Sequence, residues 1–533
     1  MGVGGRLHLP VAPVNDPGAK GAGPGRARVR PGHRLSRCAI AVLAIAAFHA
    51  CMTTGFQSDD FVLIGRIDRS GFFASWGGPD GDLFMRPGTI LSLMADRAVW
   101  GSRAGGFHAT NLLLHIAACL LVMSIGKHVF ELAGLRKPGL FSFLSACLFA
   151  VLPSHSEAVC WVSGRTDLLA TVFGLAATLL FIRGRTVPAL LLYAAGMLCK
   201  ESILLLPAIW AIIPRPGEKR KSTPVIIALA LAPAAYTAFR LVASPGLFEA
   251  LTTGGQLASP GWSIGGNVVR ALLRTFQPPL PQGAEETMRG LPPAVAALPL
   301  AAFTALVVFV IAHRKPSRAL VGAALALAAV WLVALLPALR MKVAVFDTQS
   351  ERFLYFPGTA LILLFALLIS ATAGEGRAAT VLLSASAALG FISTMHLARN
   401  WSEAGALCAD IAGNPALSGR GNTVLANVPD NLNGAYVFRN GLNEAVAMAC
   451  GTWPDEPVGV LSTHSVSSRA DTVDVRVSGD SIRITIPGGE RFCSVDGIPR
   501  SGGEGGTIAL PIPAGAERIL YYSSGSIREL MVR

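Results

Sequence analysis

The sequence predicts an all-α polytopic membrane protein of about eleven transmembrane helices, followed by a small β-rich domain outside the membrane. Three observations carry this. Apolar residues come in blocks of about 20, the length that crosses a bilayer as a helix. The polar gaps between blocks alternate in charge. After residue 398 the hydrophobic period changes to two. Across the 533 residues, 52% are hydrophobic and 14% are charged, whereas a soluble domain carries roughly 25% charged residues. Mean hydropathy is +0.53.

The first 37 residues form a basic tail with Arg26, Arg28, Arg30, Arg34 and Arg37. It leads into an apolar run that reads as an uncleaved anchor, because no clear small-x-small cleavage site follows. Apolar runs stand at 38–55, 107–126, 138–153, 166–182, 187–199, 202–213, 223–243, 291–312, 319–339, 353–372 and 378–397. Basic gaps hold Lys127, Arg136 and Lys137; Arg183 and Arg185; Arg215 and Lys219–Lys221; and His313–Lys315 with Arg318. Each lies an even number of crossings from the N-terminus, so the positive-inside rule makes that end cytoplasmic. The gaps 56–106, 154–165, 244–290 and 340–352, with everything after 398, then face outside. Residues 187–213 are almost continuously apolar around Lys200-Glu201, and two short helices meeting at that pair preserve the alternation. In 398–533, Val473, Val475 and Val477 followed by Ile482, Ile484 and Ile486 spell a β-hairpin. "TIALPIP" and "RILYYSS" read as further strands.

The net charge of +13 is accounted for by the cytoplasmic gaps. No basic patch interleaved with aromatics points to nucleic acid. The nine cysteines include no CxxC pair, so a zinc site is unsupported. Cys51, Cys119, Cys147 and Cys199 fall in apolar runs as small core residues. Cys450 and Cys493 are free to pair in an oxidising compartment.

Polar residues gather on the outer side. The long first outer loop, 56–106, opens with "FQSDDF" and holds Asp59, Asp60, Asp80 and Asp82, then Arg86-Pro87; the apolar stretch up to Trp100 suits a helix on the membrane surface. His108, Asn111 and His115 share one helical face of the second span. They form either an interhelical hydrogen-bond patch or part of a cavity wall. "LPSHSEAVCWVSGRTDLLA" places His155, Glu157, Arg165 and Asp167 together, with no nucleophile elbow to suggest a serine triad. Lys200-Glu201 and Glu351-Arg352 add two charged pairs on that side. Any one pair is compatible with a structural ion pair. Their gathering on one face suits the handling of a lipid phosphate, which guanidinium groups bind bidentately.

The segments "DDF", "RPGT", "FHATNLLLH", "FAVLPSHSEAVCWVSGRTDLLA", "CKES" and "ERFLYFP" occur in that order over about residues 38–400. They resemble the catalytic membrane region of the transmembrane O-mannosyltransferases that carry tetratricopeptide repeats, and their bacterial relatives. More broadly they resemble the GT-C superfamily of polyprenyl-phosphate-sugar glycosyltransferases. The resemblance implies an inverting transferase using a sugar on a polyprenyl or dolichyl phosphate, with an acid of the first outer loop as base. Asp60, followed by Phe, fits the O-mannosyltransferase pattern; Asp59 fits the wider superfamily. No tetratricopeptide repeats occur here, and the β-rich domain stands in their place, so the acceptor is a protein or a cell-envelope glycan or lipid.

On this reading Asp60 or Asp59 takes the acceptor's proton. Arg165, Lys200, Arg352 and Arg86 meet the charge developing on the lipid phosphate. His155, Glu157, Asp167, Glu201, Glu351, His108, Asn111 and His115 orient these groups or bind sugar hydroxyls. The chemistry demands no cofactor; a divalent metal is the alternative. High Gly, Ala and Arg content suggests a GC-rich bacterium, hence its inner membrane with the C-terminal domain periplasmic. The competing class is a polytopic transporter or lipid-carrier flippase, whose charges belong at the midplane; an assembly protein with an outer binding domain is a third.

Overall fold

The computed structural model describes residues 31–74, 86–213, 223–243, 263–279, 316–339 and 343–530, with short breaks at 346, 420, 454–455, 487–491, 495–498 and 501–505 and isolated positions at 305 and 312. The run 291–312 apart from those two positions, the gap with Arg215, and Asp80 and Asp82 fall outside these residues. The helices are α1 (Pro31–Phe48), α2 (Asp59–Ala74), α3 (Pro87–Trp100), α4 (Ala104–Leu132), α5 (Pro138–Ala150), α6 (Ser156–Cys160), α7 (Arg165–Ile182), α8 (Thr186–Met197), α9 (Leu206–Ile212), α10 (Thr223–Ala243), α11 (Ser263–Phe276), α12 (Arg318–Leu335), α13 (Tyr355–Ala373), α14 (Arg377–Ala412) and α15 (Leu442–Cys450).

The expectation of about eleven spans is corrected. Among the described residues six helices are long and apolar enough to cross a membrane: 34–53, 104–132, 162–182, 318–338, 351–373 and 377–412. A seventh is counted if the pair 138–150 and 153–160, bent by 59°, is one span. The physical reason is length. The run 187–213 is broken at Lys200 into α8 of 12 residues and α9 of 7, and at 1.5 Å per residue neither crosses roughly 30 Å of hydrocarbon. The 13-residue α5 needs its bent continuation. Helix α10 runs for 21 residues with Pro233 inside it, and it is not among the six.

The boundary expected at 398 does not exist as a break. α14 continues for 36 residues, because Ala398, Trp401, Ala404, Leu407, Cys408 and Ile411 keep a helical spacing and are all buried. It passes backbone against backbone over Gly55: a Cβ on Gly405 would lie 2.7 Å from the Gly55 nitrogen. The absence of side chains at both positions permits that approach.

The β region beyond α14 has strands β1 (Thr423–Leu425), β2 (Val428–Leu432), β3 (Ala435–Tyr436), β4 (Gly459–Val460), β5 (Ser462–Val466), β6 (Asp474–Ser478), β7 (Ser481–Thr485), β8 (Phe492–Ser494), β9 (Pro499–Arg500), β10 (Thr507–Pro511), β11 (Arg518–Ser523) and β12 (Ser526–Glu529). They form sheets ordered β12-β11-β1-β4, β10-β7-β6 and β3-β2-β5-β8-β9. The expected hairpin is β6–β7, antiparallel with Val475 opposite Ile484 and Val477 opposite Ile482. Its apolar face joins a small separate core. The β1–β3 end instead belongs to the main core through Leu425, Val428, Leu432, Tyr436 and Val437.

Candidate active site

Asp60 stands in the first turn of α2 and is 1% exposed. Its Oδ1 accepts from the backbone N–H of Ser163 at 2.8 Å and from the Ser163 hydroxyl at 2.6 Å, and its Oδ2 accepts from the Gln57 N–H at 3.1 Å. Burial outweighs these donors and pushes the carboxyl up to about 7, where a general base is most effective at neutral pH. The preceding Ser58 sits in the left-handed region at φ 47°, a conformation costly for a non-glycine residue. It is held there by its N–H on Val437 O (3.0 Å) and its hydroxyl on Asn440 Oδ1 (2.8 Å). Asp59 is partly exposed and accepts from Asn440 Nδ2 at 2.5 Å.

Arg165 is fully buried. Its guanidinium pairs with Asp96 at 2.6 Å and donates to Asn111 Oδ1 (2.8 Å), the Phe107 carbonyl (2.7 Å) and Ser92. The expected phosphate ligand is therefore a tie between α3, α4 and α7, with its donors already engaged by the protein. Asn111 also donates to the carbonyl of Trp161 at 2.8 Å. His115 meets Tyr355 OH at 2.7 Å and the Ala150 carbonyl at 3.1 Å. These two are the interhelical patch. His108 and His155 are buried; His155 packs against Phe149 and Tyr355 at 4.4 Å each.

The remaining predicted cations converge. Lys200 bonds both oxygens of Asp167 at 2.6 Å and lies 4.6 Å over Phe353. Burial lowers it to about 8; Asp167 opposes that shift, while Arg86 and Arg352 are near enough to add to it. Arg86 pairs with Glu201 at 3.3 Å, the two side chains being 22% and 39% exposed. Arg352, also 22% exposed, pairs with buried Glu157, whose Oε2 accepts the Arg352 N–H at 2.8 Å. Glu351 is buried and holds Arg274, the Ser156 hydroxyl and the Glu157 N–H. Trp161 links the two halves: its indole N–H donates to the Gln57 carbonyl at 3.2 Å, and its ring lies 5.1 Å from the Arg352 guanidinium.

Sequence reasoning missed Ser163, Asp96, Arg274, Tyr436 and Asn440. Arg274 was legible in part, since "NVVRALLRTF" has helical apolar spacing within a gap assigned to loop. It also missed the disulfide. Cys51 bonds Cys160, tying the end of the first span to the segment carrying Trp161 and Ser163. Cys51 is thus a crosslink and not a plain core residue, and Cys450 is a free, exposed thiol. No group of three or more His, Cys, Asp or Glu among the described residues is placed to hold a metal.

No protein-family model matches the chain. Curated relatives do. The chain is similar to protein O-mannosyl-transferases. It is 32% identical over 125 residues to protein O-mannosyl-transferase F38B6.6 of Caenorhabditis elegans, covering 22% of this chain and 17% of the relative. It is 32% identical over 143 residues to Tmtc1 of Drosophila melanogaster (25% and 15%) and 38% identical over 99 residues to TMTC1 of Mus musculus (18% and 10%), both also named protein O-mannosyl-transferases. The matched stretch spans under a fifth of the length of each of these relatives.

Proposed function

We propose that the chain is a membrane glycosyltransferase that moves a sugar, mannose being the first candidate, from a polyprenyl-phosphate donor to a hydroxyl acceptor, with inversion at the anomeric carbon. One observation carries the reading: a buried carboxyl near neutral pKa is linked through Trp161 to a cluster of three cations that retains exposure. Asp60 takes the acceptor's proton as its oxygen attacks the anomeric carbon, worth about 10²–10⁴-fold. Arg352, Arg86 and Lys200 stabilise the charge on the departing lipid phosphate. Arg165 positions α4 against α7 and leaves the phosphate to the other three. Glu157, Asp167 and Glu201 hold those cations in place. No metal enters these steps.

The lipid tail has a place as well. An apolar groove of about 420 Å³ runs between α4, α7, α9, α12 and α13, lined by Val122, Leu175, Ile209, Ala323, Leu327 and Phe356 among others. Phe356 follows Arg352 by four residues, so the groove begins about one helical turn from the cation cluster. A phosphate at the cluster with an isoprenoid chain in the groove suits a lipid-linked donor. A protein acceptor matches what the relatives' names say of them; a cell-envelope glycan or lipid is the other acceptor class. The site then faces outward, in a bacterium across the inner membrane, where Cys51–Cys160 persists in an oxidising space.

A second reading rests on exposure. Asp59 is partly exposed while Asp60 is not, which makes Asp59 the base and Asp60 the clamp that orients it. The test is transfer of label from a panel of radiolabelled polyprenyl-phosphate sugars to peptide and endogenous acceptors, in membranes containing the chain, Asp59→Asn or Asp60→Asn. Loss with Asp60→Asn alone assigns Asp60, and loss with Asp59→Asn alone assigns Asp59. Transfer undiminished in both removes the base from this pair.

A further inference from the structure

Tyr436 of β3, in the C-terminal β region, is 3% exposed and reaches into the cation cluster. Its hydroxyl donates to Glu157 Oε1 at 2.9 Å and accepts from Arg352 Nη1 at 3.2 Å. Its ring is fixed by Trp161 at 4.7 Å and Trp401 at 5.7 Å. The strand that carries it is fixed too. Val437 and Phe438 donate to Asp430 O (2.8 Å) and Pro429 O (2.9 Å), and Thr348 donates to the Gly434 carbonyl at 2.7 Å. Gly434 has φ 85°, and a Cβ there would lie 2.5 Å from the Thr348 nitrogen, so this turn docks flush on the loop preceding Glu351. Of the three groups that meet here, the Glu157 side chain is fully buried and Tyr436 nearly so, whereas the Arg352 side chain keeps 22% of its surface. The outward-facing member is the cation, and the phenol braces it from behind.

We propose that Tyr436 is a positioning residue for the donor phosphate: the C-terminal β region aims the Arg352 guanidinium through this phenol and is thereby a working wall of the site. This rests on the donor-phosphate reading above. A guanidinium recognises a phosphate by a planar pair of N–H donors, so its orientation matters as much as its charge. Glu157 Oε1 and the phenol oxygen both accept from Arg352 Nη1. Two acceptors on this one planar nitrogen fix the plane and leave the other guanidinium nitrogens for a phosphate.

The test uses the full chain in detergent, with a polyprenyl monophosphate and the corresponding polyprenol as probes, so the identity of the sugar does not enter. The wild type is expected to prefer the phosphate over the alcohol. Tyr436→Phe is expected to reduce that preference about tenfold, with polyprenol affinity unchanged. Arg352→Lys, which keeps the charge but not the fork, is expected to reduce it as well, and adding Tyr436→Phe to Arg352→Lys is expected to remove little more. A loss that merely reflected damaged folding would add in the double variant and would weaken polyprenol binding, so the cycle decides even if Tyr436→Phe lowers the thermal midpoint. Full preference in Tyr436→Phe, or full additivity with Arg352→Lys, overturns the inference while leaving the donor site standing. A wild type that does not distinguish phosphate from alcohol overturns the donor-phosphate reading itself.

Discussion

Arg165 and Arg352 look alike in the sequence and are used in opposite ways. Around Arg165 the structure is closed: the guanidinium pairs with Asp96 and donates to Asn111 and the Phe107 carbonyl with almost no exposure. Around Arg352, Arg86 and Lys200 the carboxylates are mostly inside and two of the cations reach the surface. Buried charge whose valences are all taken holds helices together, and breaking it is costly. Charge that is anchored on one side and open on the other can receive a ligand.

The largest effect that would break this contrast is at Asp60. Asp60→Asn is expected to lower transfer about 10²–10⁴-fold while the protein remains folded. Its folded carboxyl is raised from 3.8 to about 7, so the folded state holds a proton between those values that the unfolded chain has lost, and stability falls as pH rises through that window. The neutral variant lacks this loss. Its thermal midpoint relative to the wild type is therefore expected to climb from pH 5 to pH 8, and a constant difference would refute the assignment.

Next comes Asp96→Ala, which strands buried Arg165 without a counter-charge and is expected to cost about 3–5 kcal/mol. Thermal unfolding in detergent reads this, and polyprenyl-phosphate binding by the surviving folded protein is expected to be normal. Weakened phosphate binding at full stability would mean that Arg165 is on the open side after all. Removing the Cys51–Cys160 bond with Cys51→Ala is expected to cost about 2–4 kcal/mol, read as a lower midpoint matched by reducing agent on the wild type. Smallest in stability is Arg86→Ala, at under about 1 kcal/mol because the Arg86–Glu201 pair is partly exposed. It is expected to weaken polyprenyl-phosphate binding severalfold, and unchanged binding would confine the cation cluster to Arg352 and Lys200.

The same contrast explains what the sequence made legible. Helical runs and the period-two hairpin are local patterns, and both were readable. The acidic pair and the charged segments were expected on one side from a gap count that rested on about eleven crossings, not the six or seven found among the described residues. Whether an arginine is anchored or available is not local. It depends on Asp96 reaching back from α3, and on Tyr436 and Asn440 arriving from the far end of the chain; Ser58 and Asn440 are 382 residues apart yet share a hydrogen bond. The break at Lys200 was visible as a charged pair in an apolar run, but hydropathy alone counted both halves as spans. The docking of 427–441 onto the site left only a cluster of Asn and Gly in the sequence, which reads equally as turns.

The measurement closest to the central claim is the pH dependence of transfer in membranes, from pH 5 to 9, under donor saturation. With Asp60 as the base, the rate is expected to rise with pH and reach half its plateau near 7, and Asp60→Asn is expected to abolish the rise along with the rate. A rate that is already at its plateau at pH 5, or a rise that survives in Asp60→Asn, would contradict the account.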